Sequence, residues 1–256
     1  MRRLKNLPHS VVRALKALRA LGMAVLLIAS VPVRAEDPKP AGDEDFTEEE
    51  REEFVVRDPL ERINRPIFRF NDAFYRHVLS PIARGYERAL PRRVRDSVGH
   101  FFHNLKTPVR LINLGLQAKF KAGGRELGRF FINTTAGVGG LFDPAGYLWD
   151  IRGQEEDLGQ TLGKWGAGEG IFLQWPFLGP STLRDSVGML GDGLITPGYY
   201  LFPHDPWAKV GTNALEKVDA APPAMEEYKS LRKGAIDPYT FFRDAYYQYR
   251  HKKVQE

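Results

Sequence analysis

Apolar positions return at helical spacing from residue 67 onward. Ile67, Phe70, Phe74 and Val78 fall within an arc of about 80°, while Arg65, Arg69 and Arg76 share an arc of about 40° on the far side. This predicts an amphipathic helix with a cationic face. Asn64, Arg65 and Pro66 predict its start, with Asn as N-cap and Pro in the first turn. Pro91 precedes a second such stretch, with Val94, Val98, Phe101, Phe102 and Leu105 on one side and Arg92, Arg95 and His103 elsewhere. Pro108 opens a third, carrying Val109, Ile112, Leu116 and Phe120, with Lys119 and Lys121 near an end that suits cations. Gly123 and Gly124 are expected to stop it before a further helix over 125–135.

The second half is richer in glycine and less periodic. Residues 157–170 and 171–180 set aromatic and apolar side chains between small ones, which predicts short helices, turns or an irregular hairpin. Thr182 and Asp185 fit a capping box for a helix through Met189. Asp237 and Pro238 start a last helix crowded with Tyr239, Phe241, Phe242, Tyr246, Tyr247 and Tyr249. Such rings suit an apolar-wet boundary or a clamp onto a core. Residues 129–147, RFFINTTAGVGGLFDPAGY, are too apolar to stay in water. They are also too broken to span a bilayer, which takes roughly 20 apolar residues in a row. This segment is expected to be buried or to lie along an interface.

Charge divides the chain of 256 residues into three parts. Arg2, Arg3, Lys5, Arg13, Lys16 and Arg19 precede an apolar run over 21–31, and Val33, Arg34 and Ala35 end in a small-x-small pattern, predicting a signal peptide over 1–35 cleaved after Ala35. Removing its seven basic residues takes the formal +5 to −2. Residues 36–57 read as an acidic, solvated linker ahead of a mildly basic body over 58–250, with 251–256 as a tail. The chain contains no cysteine, so neither disulfides nor a lipobox acyl anchor is expected.

Catalytic motifs are missing from this pattern. GxSxG, HExxH and the phosphate-cradling GxxxxGK[ST] do not occur. His100 and His103 stand three apart with no local acid or cysteine, so a pair on a helix face is the better reading than a metal site. Glu155, Glu156 and Asp157 read as a solvated turn before a helix N-terminus. The mild basicity, spread over aromatic helices, argues against nucleic acid.

Four ordered blocks, 58–72, 129–147, 157–188 and 237–250, resemble the MlaA/VacJ family, the outer-membrane component of the system that maintains lipid asymmetry. The resemblance covers nearly all of 58–250. It implies a mainly α fold: a monotopic ring of amphipathic helices around a narrow channel, with irregular Gly-rich loops, at the periplasmic face of the outer membrane. It implies transport of mislocalised outer-leaflet phospholipid to a periplasmic lipid carrier protein, association with trimeric porins, no cofactor and no bond made or broken. The alternative is a periplasmic lipid-binding or porin-associated scaffold; a lipid hydrolase is a third reading. Asn64, Phe68, Phe70, Asn71, Phe130, Phe131 and Phe142 then look like lipid-path or gate residues. Gly137, Gly139, Gly140 and Gly146 match the channel loop, and Trp165, Pro176, Phe177, Gly179 and Arg184 match a second signature. The family is usually acylated, and the absence of cysteine departs from it. In-plane apolar helices would then supply retention.

Overall fold

Aspartate followed by proline opens three of the helices. An Asp side chain accepts from an orphan amide of the first turn, and Pro at the next position has no N–H to lose there. Asp143 accepts from Gly146 N at 3.0 Å, Asp205 from Trp207 N and Ala208 N at 2.9 and 3.0 Å, and Asp237 from Tyr239 N at 3.2 Å. A computed structural model describes Val56, residues 58–201 and residues 205–256. Its elements run α1 Glu61–Phe74, a π-helical turn Tyr75–Leu79, α2 Ser80–Ala89, α3 Arg92–Leu105, α4 Thr107–Leu116, α5 Phe120–Thr135, α6 Pro144–Trp149 and α7 Leu158–Lys164. There follow β1 Phe172–Trp175, β2 Gly179–Thr182, α8 Leu183–Ile195, α9 Pro197–Leu201, α10 Pro206–Gly234 and α11 Pro238–Gln255.

The mainly helical reading holds, and the irregular hairpin is a two-stranded antiparallel ribbon pairing Phe172 with Thr182 and Trp175 with Gly179. Thr182 caps α8 as expected, accepting from Asp185 N at 3.1 Å. Four boundaries differ, among them the end of α8, which runs to Ile195 rather than stopping at Met189. Helix α1 begins at Glu61, so Asn64 is a buried residue inside the helix and Pro66 also lies within it. The Gly123–Gly124 pair stops nothing: α4 ends at Leu116, Ala118 turns the chain at φ 56°, and α5 runs through both glycines. At the other end α11 continues to Gln255, where a tail was expected over 251–256.

The 29-residue α10 is the longest element that periodicity missed. Pro222 and Pro223 sit inside it and remove two intrahelical donors, which on sequence grounds argues against a helix. Packing compensates: Ala221 and Met225 are buried with Ala83 of α2, and Tyr75 and Leu79 close the cluster. A second core centres on Phe172, surrounded by Tyr239, Tyr247 and Val56, with Phe68 and Tyr246 against it. Apart from Val56, the segments expected as signal and linker lie outside the described residues. Among the described residues no helix is long and apolar enough to cross a membrane.

Candidate functional site

Helix α8 carries its amphipathicity inside out. Leu183, Val187, Leu190 and Leu194 lie within an arc of about 60°, and all are exposed, Leu190 by 70%. The opposite face, Arg184, Asp185, Ser186 and Gly188, is buried. Helix α5 repeats the arrangement: Phe120, Leu127 and Phe131 are exposed while Glu126, Arg129 and Asn133 are buried. Among the described residues, polar and charged side chains outnumber apolar ones in the buried set. In a protein surrounded by water the usual order is the reverse.

Ion pairs and hydrogen bonds make that polar interior tolerable. Arg110 Nε donates to Glu126 Oε1 at 2.7 Å and Arg110 Nη2 donates to Thr107 Oγ1 at 2.7 Å. Burial holds the Arg110 guanidinium below its ordinary range, with Glu126 acting against the shift. Arg250 of α11 forks onto Asp157, the N-cap of α7, at 2.6 and 2.9 Å, and reaches Asp185 of α8 at 2.9 Å. Burial disfavours the Asp157 and Asp185 charges, yet the hydrogen bonds from Arg250 outweigh it and hold both carboxyls below their usual range.

The glycine-rich loop is held from within. Arg129 Nη2 donates to Asp143 Oδ2 at 2.7 Å, and Asn133 Nδ2 donates to Asp143 Oδ1 at 2.8 Å while its Oδ1 accepts from Ala145 N at 3.1 Å. Gly140 N donates to Asn133 O at 2.9 Å. Gly140 adopts φ 92°, and a Cβ there would stand 2.5 Å from the Asn104 Cβ, so this position needs glycine for both backbone and space. Gly137 and Gly146 are likewise packed, against Asn133 O and the Asp143 carboxylate, whereas Gly139 has open space around it. The side chains between and after them turn outward: Val138, Leu141, Phe142, Tyr147, Leu148 and Trp149 are all exposed. Segment 129–147 thus has a hydrogen-bonded inner side and an apolar outer side.

A second cluster forms at the hairpin tip. Asn71 Nδ2 donates to Trp175 O at 2.8 Å and its Oδ1 accepts from Phe177 N at 2.8 Å. One turn-pair earlier Asn64 does the same for the strand, donating to Phe172 O at 3.1 Å and accepting from Gln174 N at 3.0 Å. Two amides on one face of α1 therefore stand in for a missing third strand. Phe177, at φ 63°, sits edge-on to Phe70 and Phe74 at 5.0 Å from each centroid. Lys217 Nζ of α10 reaches Phe177 O at 3.4 Å.

Phe70, Asn71 and Phe177 are thus brought together, with Pro176 and Gly179 in the same turn. Phe68 is elsewhere, packed on Tyr239 and Phe242. Phe130 and Phe131 pair with each other on α5, and Phe142 is exposed on the loop. Trp165 Nε1 donates to Leu116 O at 3.1 Å, and Arg184 is buried beside Asp185. Lys217, Arg129, Asp143 and Arg250 were not singled out from sequence; only folding supplies the partners that mark them.

His100 and His103 do not converge on a metal: His100 Nε2 is 3.4 Å from Tyr147 Oη, and His103 is pushed down to about 4 by burial and by Arg110 and Arg129. Among the described residues no group of three or more His, Asp or Glu side chains is placed to hold a metal ion. Glu156 is taken by Lys119 and Gln117 at 2.7 and 2.8 Å.

Polar groups inside and apolar stripes outside define a helical protein whose outer surface suits contact with lipid. A family model described as MlaA lipoprotein matches residues 56–253, and the chain belongs to the MlaA family. It is 34% identical over 195 residues to the intermembrane phospholipid transport system lipoprotein MlaA of Escherichia coli K12, covering 75% of this chain and 76% of that one. The protein of the same name from Haemophilus influenzae is 32% identical over 201 residues, covering 78% and 80%. An uncharacterized Rickettsia felis protein is 33% identical over 201 residues, covering 78% and 79%. A solved chain from work on the structural basis for maintenance of bacterial outer membrane lipid asymmetry aligns with a TM-score of 0.69 at 31% identity, over 77% of this chain and 99% of that one.

Proposed function

We propose that this protein is the outer-membrane component of an intermembrane phospholipid transport system, taking mislocalised phospholipid from the outer leaflet and passing it to a periplasmic carrier. The observation that carries the reading is the inverted amphipathicity of α5 and α8 in a chain of this family. An apolar exterior with a polar interior suits a body seated in the periplasmic leaflet, where acyl chains solvate the outside. Burying an exposed leucine or valine of such a stripe contributes roughly 1 kcal/mol or more. A lipid crossing the leaflet needs apolar lining for its chains and polar shelter for its headgroup. The aromatic tip around Phe177 provides the apolar surface, and Lys217 beside it is the polar group.

The lipid path is assigned to the tip cluster Phe70, Asn71 and Phe177 and to the outer side of segment 129–147, where Phe131 and Phe142 are exposed. A ring of helices around a channel, porin association, an export signal over 1–35 and an acidic linker before the body belong to the same proposal. The 256 residues contain no cysteine to take an acyl chain, so retention is assigned to the apolar stripes.

Purification in mild detergent tests the reading. Glycerophospholipid should accompany the protein, and deletion should raise surface-exposed phospholipid. A lipid-free protein whose deletion leaves surface phospholipid unchanged but impairs porin assembly would make it a scaffold. Turnover of labelled phospholipid to lyso products would make it a hydrolase.

A further inference from the structure

Between α2, α3 and α10 lies a cleft of about 410 Å³ lined by Arg84, Glu87, Arg92, Arg95, Asp96, Pro222 and Met225. Three guanidinium groups meet two carboxylates there, and the pairing is incomplete. Arg95 Nη1 is 3.3 Å from Glu87 Oε1, and Arg92 Nε is 3.9 Å from Asp96 Oδ2, with the Arg92 side chain 87% exposed. Arg84 has no hydrogen-bond or ionic partner among the described residues. Arg95 Nε is buried and lacks an acceptor. A buried donor without a protein partner is met in native structures by ordered water or by a bound group. Arg88 and Arg93, both exposed on the same two helices, add to the positive field.

The second cleft, of about 420 Å³, offers less: two of its cations, Lys119 and Lys253, already pair with Glu156 and Glu256. In the first cleft the free capacity is guanidinium, whose planar fork matches the oxygens of a phosphoryl group. Exposed Ile82 and Val94 on α2 and α3 place apolar surface on the helices that carry the arginines. That composition fits headgroup depth at a membrane surface.

We propose that the cleft between α2, α3 and α10 binds a phosphoryl group through Arg84, Arg92 and Arg95, and that the group is the anionic headgroup of a phospholipid. The choice of lipid as the source rests on the transport reading above; the phosphoryl chemistry does not. The site is separate from the hairpin tip and gives the protein a preference for anionic over zwitterionic lipid.

Vesicle flotation of the whole protein, using phosphatidylcholine alone or with a third of the lipid as phosphatidylglycerol, tests this. Wild type should bind the anionic vesicles more tightly. The double variant Arg84→Gln/Arg92→Gln should lose about thirtyfold of that preference, since each arginine near an anionic surface contributes about 1 kcal/mol. Both side chains are exposed, so its unfolding curve should match wild type. The variant Lys121→Gln/Arg125→Gln removes the same charge elsewhere and should keep the preference. If the first variant keeps it, or the second loses as much, the site is wrong. Binding to neither vesicle would overturn the phospholipid reading as well. Equal binding to both would remove the lipid headgroup while leaving transport intact. Glycerol phosphate at matched ionic strength then decides: binding that depends on Arg84 and Arg92 keeps the phosphoryl site with a soluble ligand, and no such binding ends it.

Discussion

Arg250, six residues from the end of the chain, donates to both carboxylate oxygens of Asp157 and also to Asp185, tying α11 to the first turns of α7 and α8. The Tyr246 hydroxyl completes the set, donating to Asp185 Oδ2 at 2.8 Å. Replacing Arg250 leaves the half-buried Asp157 without its cation and the buried Asp185 with Arg184 alone. Arg250→Gln should cost about 3–5 kcal/mol, the usual penalty for breaking a buried pair from one side. Denaturant unfolding in detergent measures it, and a loss below 1 kcal/mol would mean that water reaches the site.

Asn71 closes both polar groups of the hairpin turn, and its neighbours Phe70 and Phe74 hold Phe177 in a left-handed conformation. Asn71→Ala should release the tip while sparing the strands, which Asn64 holds separately. Global stability should fall by about 1–2 kcal/mol, with amide exchange rising at residues 175–179 and lipid traffic altered. Unchanged exchange there would show that ring contacts alone fix the turn.

Between pH 4 and 6.5 two half-buried groups should oppose each other. Burial raises Asp192 to about 6 despite donors from Leu158 N and Asn113. Its protonation favours the folded state, a contribution complete below the unfolded carboxylate value and lost as pH rises through about 6. His103, pushed down to about 4, acts oppositely: its contribution is complete above the unfolded imidazole value and lost as pH falls toward 4. Thermal melts between pH 4 and 6.5 should therefore show Asp192→Asn losing stability as pH falls and His103→Gln gaining it. Parallel profiles for the two variants would refute the pairing.

Gly140→Ala should displace Asn104 and break its 3.1 Å hydrogen bond to Thr134 Oγ1, costing about 2–3 kcal/mol from φ and packing together. Gly139→Ala meets no neighbour and should cost about 1 kcal/mol from φ alone. Equal losses in the two melts would show that backbone conformation alone governs the loop.

Charge on the outer stripe of α8 should detach the protein from lipid without unfolding it. Leu190→Asp and Val187→Asp face away from the core, so their melting in detergent should match wild type while flotation with vesicles drops several-fold. A destabilised variant that still floats would place this stripe against protein.

Much of the helical order was legible because it is local. Asp237 and Pro238 mark the start of α11, Thr182 and Asp185 cap α8, and Pro91 and Pro108 stand at the openings of α3 and α4; each works through the first turn of its own helix. Misreadings came where tertiary partners overruled local preference. The Gly123–Gly124 pair stays helical because α5 is fastened by Glu126, Arg129 and Asn133 to other elements. The prolines of α10 are tolerated because Ala221 and Met225 are buried against α2.

Periodicity determined that these helices have two faces and which residues share each one. It is silent on which face turns inward, since an apolar stripe suits a dry core or a lipid surface equally well. That choice came from contacts distant in the chain: Asn64 with Phe172 and Gln174, Arg110 with Glu126, Arg250 with Asp157 and Asp185. Those bonds satisfy the polar faces against one another, leaving Leu183, Val187, Leu190 and Leu194 exposed on the outer surface.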